Sequence, residues 1–175
     1  MAVFDPNLWY QITESRVGFN SSLQNNDATV FFAKADREAL QYWQLLSAQD
    51  GNFQIRNRAQ GLHKQLSTCY VTEETDASRT RPCMLPATGA DAQKWAIDAW
   101  DDGTYKMINV ANGTGYHMDC HPGNPLFMSS EVDNSPPQPA QHWMFTSIGV
   151  INDGAYSTTI SSVRLMLPLT IYRTR

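Results

Sequence analysis

The chain has 175 residues and a formal net charge of −4, with 17% charged and 42% hydrophobic residues. That length is typical of one domain with a sizeable core, and the slightly acidic charge provides no basic surface for nucleic acid. No apolar run approaches the roughly 18 unbroken residues that indicate a membrane span. The composition therefore predicts neither a nucleic-acid partner nor a membrane span.

Residues 1–6 do not resemble an export signal, because they lack both a basic start and an apolar core. This predicts a cytoplasmic protein if the chain is full length, and an extracellular one if a leader segment has been removed. The first predicted strand follows at Leu8–Thr13, and Trp9 lies within it.

The segment that follows this strand is predicted to contain short strands and little helix. Its chain continues through Arg16–Leu23, turns, and returns on a second strand at Thr29–Phe32. Asp36–Leu40 is long enough for a brief helical turn, and no longer stretch has helical periodicity.

A Gln-x-Trp triplet occurs three times, at intervals of about 50 residues, and a fixed period of this size indicates repeated supersecondary units. The triplets are Gln41–Trp43, Gln93–Trp95 and Gln141–Trp143. The first two are each followed by an apolar run, an Asp-Gly turn and an alternating run, which is typical of two strands in a tight hairpin. We therefore predict three copies of one unit, near residues 7–49, 50–100 and 101–152, followed by an extension at 153–175.

This pattern resembles the ricin-type lectin family over roughly residues 7 to 152. The resemblance implies an all-β fold, the β-trefoil, in which three four-strand repeats close one barrel. A four-strand unit cannot bury its own apolar face, so three units must fill a shared core with large side chains. We expect the three triplet tryptophans to be buried in that core, and Trp9 to close the barrel where the first and last strands meet.

The resemblance also bears on the cysteines of the second repeat. Many ricin-type repeats contain an internal disulfide in a similar place, which makes Cys69 and Cys83 a candidate pair. Two unpaired thiols are the alternative, and the absence of an export signal favours it slightly. Between the two cysteines lies a polar loop, Thr72–Pro82, that we expect to be exposed and mobile. Cys120 has no partner in either interpretation.

The third repeat contains the candidate sugar site. In ricin-type lectins an Asp accepts hydrogen bonds from two sugar hydroxyls, an aromatic residue stacks on the sugar, and an Asn precedes the Gln of the triplet. Gly115–Asp119 matches the segment that contains this Asp. The residue four positions after Gly61 in the second repeat is Gln65, and the residue four positions after Gly18 in the first repeat is Ser22. The candidate site residues are Asp119, His121, Asn124, Phe127 and Tyr116.

Other parts of the family pattern are missing. The residue before each triplet is Leu40, Ala92 or Ala140, and the expected aromatic positions fall near Ala33, Leu85 and Ser129. Two interpretations of Asp119 stay open. It anchors a glycan, or it caps the turn beside Cys120, with His117 a half-exposed strand residue.

After the third triplet, Met144–Asn152 supplies the closing strand. The extension beyond it contains an apolar run, Val163–Tyr172, that is too short and too interrupted to cross a bilayer. A free apolar tail favours aggregation, so we expect this run to pack on the barrel or to mediate self-association.

Two functions from different classes agree with these observations. The first is a non-catalytic lectin-like protein that binds a glycan at one site in the third repeat. The second is a β-trefoil protein-contact or protease-inhibitor module that uses the loops Thr72–Pro82 and Val132–Pro139. The four histidines form no metal-binding motif, and no nucleophile elbow or nucleotide-binding glycine loop is present, so we predict no enzyme activity and no cofactor.

Overall fold

The structure is a computed structural model that describes residues 2–123, 125–132 and 138–156. These residues form short β-strands and one-turn 3-10 helices. The strands are β1 (Leu8–Glu14), β2 (Ser21–Asn26), β3 (Thr29–Lys34), β4 (Trp43–Ser47), β5 (Phe53–Asn57), β6 (Lys64–Tyr70), β7 (Thr80–Pro86), β8 (Trp95–Ala99), β9 (Tyr105–Asn109), β10 (His117–Cys120), β11 (Leu126–Ser129) and β12 (Trp143–Val150). No helix of the described part is long and apolar enough to cross a membrane.

Six strands close a barrel in the order β1-β12-β9-β8-β5-β4, so each repeat gives its first and fourth strand to the barrel. The second and third strands of each repeat pair as the hairpins β2–β3, β6–β7 and β10–β11. Both predicted Asp-Gly hairpins are present, with Gly51 and Gly103 at φ of 81° and 84°, a region that glycine enters without steric cost. The prediction of an all-β trefoil is confirmed.

The core is built with threefold symmetry around the triplet tryptophans. Trp43, Trp95 and Trp143 are each 0% exposed. Each indole Nε1 donates a hydrogen bond of 2.9 Å to a carbonyl oxygen of its own repeat, those of Leu23, Leu66 and Met118 in turn. The predicted burial of the tryptophans is therefore present in the structure, and the indole bonds mark equivalent positions in the three repeats.

These indole bonds correct the alignment made from the sequence. Because Leu23, Leu66 and Met118 are equivalent, the counterparts of Asp119 are Gln24 and Ser67, and not Ser22 and Gln65. The error arose because Gly115 was matched to Gly18 and Gly61, whereas the equivalent glycine is Gly113, which shares their positive φ and, like them, lies six residues before the position in question. Among the three equivalent residues, Gln24, Ser67 and Asp119, the acidic one is still Asp119.

The N-terminal segment plugs the barrel, a role that the sequence did not reveal. The Phe4 ring lies 5.4–5.6 Å, between ring centroids, from Tyr10, Phe53 and Tyr105, which come from the three repeats, and 4.8 Å from Phe145. Ala2 donates its backbone N–H to the carbonyl oxygen of Ile97 at 3.3 Å. A segment of six residues without periodicity gives no pattern from which this packing follows.

The outer face of β1 contacts the start of the C-terminal extension. Trp9 pairs with Gly149 of β12, as expected of a residue where the first and last strands meet. Its ring packs at 4.9 Å from Tyr156, whose hydroxyl donates to the carbonyl oxygen of Arg58 at 2.7 Å. The apolar run Val163–Tyr172, for which docking or self-association was predicted, lies outside the described residues.

Candidate functional site

The hairpin β10–β11 places Asp119 directly opposite Phe127. Every residue of both strands is buried, although each strand has only four residues. Such a short hairpin cannot cover itself. Its burial therefore depends on packing from the rest of the chain, which includes the loop between β6 and β7.

Asp119 is held by the triplet glutamine of its own repeat. The Gln141 amide Nε2 donates to Asp119 Oδ2 at 2.8 Å, and the backbone N–H of Cys120 donates to Oδ1 at 2.6 Å. Burial, which leaves the residue 5% exposed, raises the pKa of the Asp119 carboxyl above its usual value, although the two hydrogen bonds oppose that rise. The carboxylate thus has the structural role that one of the two interpretations assigned to it, and it also lines the depressions described below.

His121 forms a flat ring pair with Phe127. The two rings are parallel within 3° and their centroids lie 3.6 Å apart. Because Phe127 is buried beneath it, the outer face of the platform belongs to His121, whose side chain is 31% exposed. The sequence offered Phe127 or Tyr116 as the stacking face and His121 as a hydrogen-bonding residue, and the structure places His121 over Phe127.

The imidazole of His121 is oriented by a buried carboxylate from the second repeat. Its Nε2 lies 3.0 Å from Glu74 Oε1, and the Arg81 Nε donates to Glu74 Oε2 at 2.7 Å. Burial would raise the pKa of Glu74, but the hydrogen bonds from Arg81 and His121 outweigh it and lower that pKa to about 2. Glu74 is therefore an ionised anchor for the platform.

The loop between β6 and β7 is fixed against the third repeat. Asp76 Oδ2 accepts hydrogen bonds from the backbone N–H and the hydroxyl of Ser130, at 3.1 and 3.0 Å. The hydroxyl of Ser78 donates to the carbonyl oxygen of Met128 at 2.7 Å. The expected exposure of the loop Thr72–Pro82 is present at Thr72, Glu73, Thr75, Ala77 and Arg79, but it is wrong for Glu74, which is 1% exposed. The bonds of Asp76 and Ser78 tie the loop to β11 and the residue after it. A polar composition concealed the buried ion pair.

Two adjoining depressions flank the platform, with volumes of about 420 and 330 Å³. Both are lined by Asp119, His121, Phe127 and Gln138. The larger one is completed by side chains of the β6–β7 loop, of the end of β11 and of the residues after it, namely Thr75, Asp76, Ala77, Ser129, Ser130 and Glu131. The smaller one is completed by Arg16, Cys120, Pro122, Pro139 and Ala140. Volumes of this size are typical of small-molecule sites.

Of the five residues proposed from the sequence, three are brought together at this site. Tyr116 packs against the core and lines neither depression. Asn124 lies outside the described residues. Asp119, His121 and Phe127 are brought together, and the sequence missed Glu74, Asp76 and Arg16, which are distant along the chain.

His117 supports the site from behind. The sequence suggested a half-exposed strand residue, but His117 is buried and its Nδ1 lies 3.1 Å from Gln141 Oε1. Its ring meets Trp100 edge-on, and Trp100 stacks on His142 with ring centroids 5.0 Å apart. These contacts fix the position of His117 and, through it, the Gln141 amide that holds Asp119.

The second repeat contains a disulfide between Cys69 and Cys83. The alternative of two free thiols, which the sequence favoured slightly, is wrong. Cys83 is the counterpart of Phe127 by its position opposite Ser67, so the disulfide occupies the place that an aromatic ring takes in the third repeat. Cys120 is free and buried, and burial raises the pKa of its thiol to about 11.

Known structures resemble this fold. A mosquitocidal holotoxin superposes with a TM-score of 0.68 at 22% identity, over 84% of this chain and 18% of the toxin. The designed threefold protein ThreeFoil gives 0.61 at 19% identity, over 80% of this chain and 99% of its own. A Polyporus squamosus lectin, solved with Neu5Aca2-6Galb1-4GlcNAc, gives 0.60 at 18% identity, over 83% and 50% of the two chains. This chain thus spans about a fifth of the toxin and half of the lectin.

Sequence comparison leads to the same family. A search of curated protein sequences found no match. The model of the ricin-type beta-trefoil lectin domain-like family matches residues 39–126, which is just over half of the chain. Together with the barrel, the three hairpins and the three buried triplet tryptophans, this match shows that the chain belongs to the ricin-type β-trefoil lectin-like family.

Proposed function

We propose that the protein is a non-catalytic carbohydrate-binding module with one site, in the third repeat. The observation that supports this most is the convergence of Asp119, the His121–Phe127 platform and four further serine or carboxylate side chains on one depression. Sugar recognition needs polar groups that pair with hydroxyls beside a flat apolar face. The described residues bring these groups together in the third repeat.

Asp119 is suited to accept hydrogen bonds from sugar hydroxyls. Each carboxylate oxygen has two lone pairs, and Gln141 and the backbone N–H of Cys120 each donate to one oxygen of Asp119. An ionised carboxylate also forms shorter and stronger hydrogen bonds than a neutral acceptor does. The partial burial of Asp119 reduces competition from water for those bonds.

The His121–Phe127 pair supplies the stacking surface. Glu74 fixes the imidazole plane through its hydrogen bond, so little side-chain freedom is lost when a sugar binds. Phe127 beneath it prevents the ring from tilting inward. The site therefore has a preformed wall and floor.

The geometry disfavours hydrolysis of the bound glycan. Glycoside hydrolases need a carboxylic acid whose raised pKa lets it protonate the leaving oxygen. Glu74 is held ionised, with a pKa of about 2. Burial raises the pKa of Asp119, but hydrolysis needs a second carboxylate to act with it, and both oxygens of Glu74 are committed to Arg81 and His121.

Protein contact through the β6–β7 loop is the second candidate function, and the loop's own bonds oppose it. Inhibitory loops present their central residues to the partner. Here Glu74 is buried and Asp76 is bonded to Ser130, so the loop serves as a wall of the site. The other predicted contact loop, Val132–Pro139, lies largely outside the described residues.

One shallow site that lacks the family's Asn should bind weakly, on the order of ~1 mM. Such a site retains a ligand through avidity, when the glycan is multivalent or the chains associate. The glycan bound to the similar Polyporus squamosus lectin supports neutral or sialylated galactosides as first probes.

A glycan array followed by titration tests the proposal. Asp119→Ala should abolish binding, whereas the matched variant Gln24→Ala, which removes the corresponding side chain of the first repeat, should bind like the native protein. Melting temperatures establish that both variants are folded. Unchanged binding per folded molecule in Asp119→Ala would make Asp119 a purely structural residue, and an array without any bound glycan would reject the lectin assignment.

A further inference from the structure

The two depressions beside the platform differ in chemistry. The larger one is polar and acidic, since Asp76, Ser129 and Glu131 line it. The smaller one combines apolar walls, Pro122, Pro139 and Ala140, with one cationic side chain, Arg16. A ligand that spans both must therefore present hydroxyls to one side and a group of mixed polarity to the other.

Arg16 is fixed in place by a buried carboxylate. Its Nε donates to Glu14 Oε1 at 3.1 Å and its backbone N–H donates to Glu14 Oε2 at 3.2 Å, while the Glu14 side chain is 0% exposed. The guanidinium has only donors, five N–H groups in a planar fork, and the Glu14 contact occupies the Nε edge. The group that pairs with Arg16 must therefore be a hydrogen-bond acceptor.

The charges around Arg16 favour a neutral acceptor over an anion. The charge of Arg16 is matched by Glu14. The carboxylate of Asp119 lines the same depression as Arg16, and those of Glu131 and Asp76 line the adjoining one. A carboxylate or sulfate on the ligand would be repelled by these negative charges. A carbonyl oxygen would accept a hydrogen bond without that repulsion.

We propose that the smaller depression receives the acetamido group of an N-acetylated sugar. The acetamido carbonyl accepts a hydrogen bond from Arg16, and its methyl packs against Pro122, Pro139 and Ala140. The neighbouring sugar lies on the platform beside Asp119, so the ligand is at least a disaccharide. This assignment rests on the proposed lectin function and specifies its ligand class.

Titrations with matched disaccharides test the assignment. The probes are lactose, N-acetyllactosamine, and N-acetyllactosamine with a free amine in place of the acetamide. Any two glycans on the array that differ only in the acetamido group are also compared. The native protein should bind the N-acetylated member at least about tenfold more tightly, as expected for one hydrogen bond from the charged guanidinium and a methyl contact. Arg16→Gln and Pro122→Ala should reduce that ratio, and Arg37→Gln, an exposed arginine elsewhere, should preserve it.

The outcomes separate this inference from the function on which it rests. If binding depends on Asp119 but the acetylated and free-amine members bind equally, the ligand class is wrong and the lectin function stands. Tighter binding of a sulfated or sialylated member would also overturn it, in favour of an anion at Arg16. Pro122 is exposed, so Pro122→Ala keeps the test valid even if Arg16→Gln, which leaves Glu14 without its partner, unfolds.

Discussion

The third repeat and the second repeat share a core but differ in their hairpins. The strands of β6–β7 have seven residues each, and those of β10–β11 have four. The longer hairpin carries a loop that reaches over the shorter one and supplies Glu74 and Asp76 to the site. The site therefore arises from an inequality between neighbouring repeats, and no repeat contains it alone.

The largest expected effect tests what the repeats have in common. Replacement of Trp43, Trp95 or Trp143 by Ala should each lower the free energy of unfolding by about 3–5 kcal/mol, because each removes a fully buried indole and leaves its carbonyl partner without a donor. Chemical denaturation measures the three losses. A loss below 1 kcal/mol in any repeat would show that the core is not threefold symmetric.

The next largest effect concerns the β6–β7 loop of the second repeat, which contributes Glu74 to the site. Glu74 has a folded-state pKa of about 2, below its usual value of 4.5, so its contribution to stability is present above pH 4.5 and is lost as the pH falls toward 2. That contribution is roughly 2–3 kcal/mol. Burial raises the pKa values of Glu14 and Asp119, so their protonation favours the fold as the pH falls, and that gain accrues above their usual values of 4.5 and 3.8.

The Glu74→Gln variant isolates the contribution of Glu74. Its free energy of unfolding, measured by urea denaturation from pH 7 to pH 2, should be lower than the native value at pH 7 and should converge with it at acid pH. A constant difference across this range would mean that the charge of Glu74 does not stabilise the loop.

A smaller effect compares Asp119 with its counterpart. Asp119→Ala removes the acceptor of a buried backbone N–H and should cost about 1–3 kcal/mol, whereas Gln24→Ala, at a half-buried position, should cost less than about 1 kcal/mol. Thermal melts of both variants provide the comparison. Equal costs would mean that the buried N–H of Cys120 finds another acceptor.

The smallest effect tests whether an acidic residue is sufficient. In Gln24→Asp the triplet glutamine Gln41, which now donates to Gln24 at 3.1 Å, has a carboxylate to bond, so stability should change by less than about 0.5 kcal/mol. No glycan binding should appear in the first repeat, because no long hairpin loop covers it. Titration of Asp119→Ala/Gln24→Asp measures this, and restored binding would show that the loop is dispensable.

The fold could be predicted because its signals are local or periodic. The Gln-x-Trp triplets and Asp-Gly turns recur at a regular interval, and each specifies its own piece of backbone. The alignment within a repeat was less certain, since the third repeat has two nearby glycines, Gly113 and Gly115, and the choice of Gly115 moved the counterparts of Asp119 from Gln24 and Ser67 to Ser22 and Gln65. The indole hydrogen bonds, which join residues 20 to 29 positions apart, resolve it.

The site could be predicted only in part, because most of it is assembled from distant segments. Asp119, His121 and Phe127 lie on one hairpin and were found together. Glu74 and Arg16 come from the other two repeats, and nothing in a polar loop distinguishes a carboxylate that will be buried from one that will be solvated. Their roles follow from the packing between repeats.

The pairing of β1 with β12 has a consequence for how the chain folds. Leu8 is paired with Val150, so the barrel cannot close until the last strand has been synthesised. Until then β1 has an open edge, and unpaired edges favour association with other chains. Contacts that join residues so far apart along the chain also make folding slow. We therefore expect ring closure to be the late, rate-limiting step, and the interval before it to be when the nascent chain is most prone to aggregate.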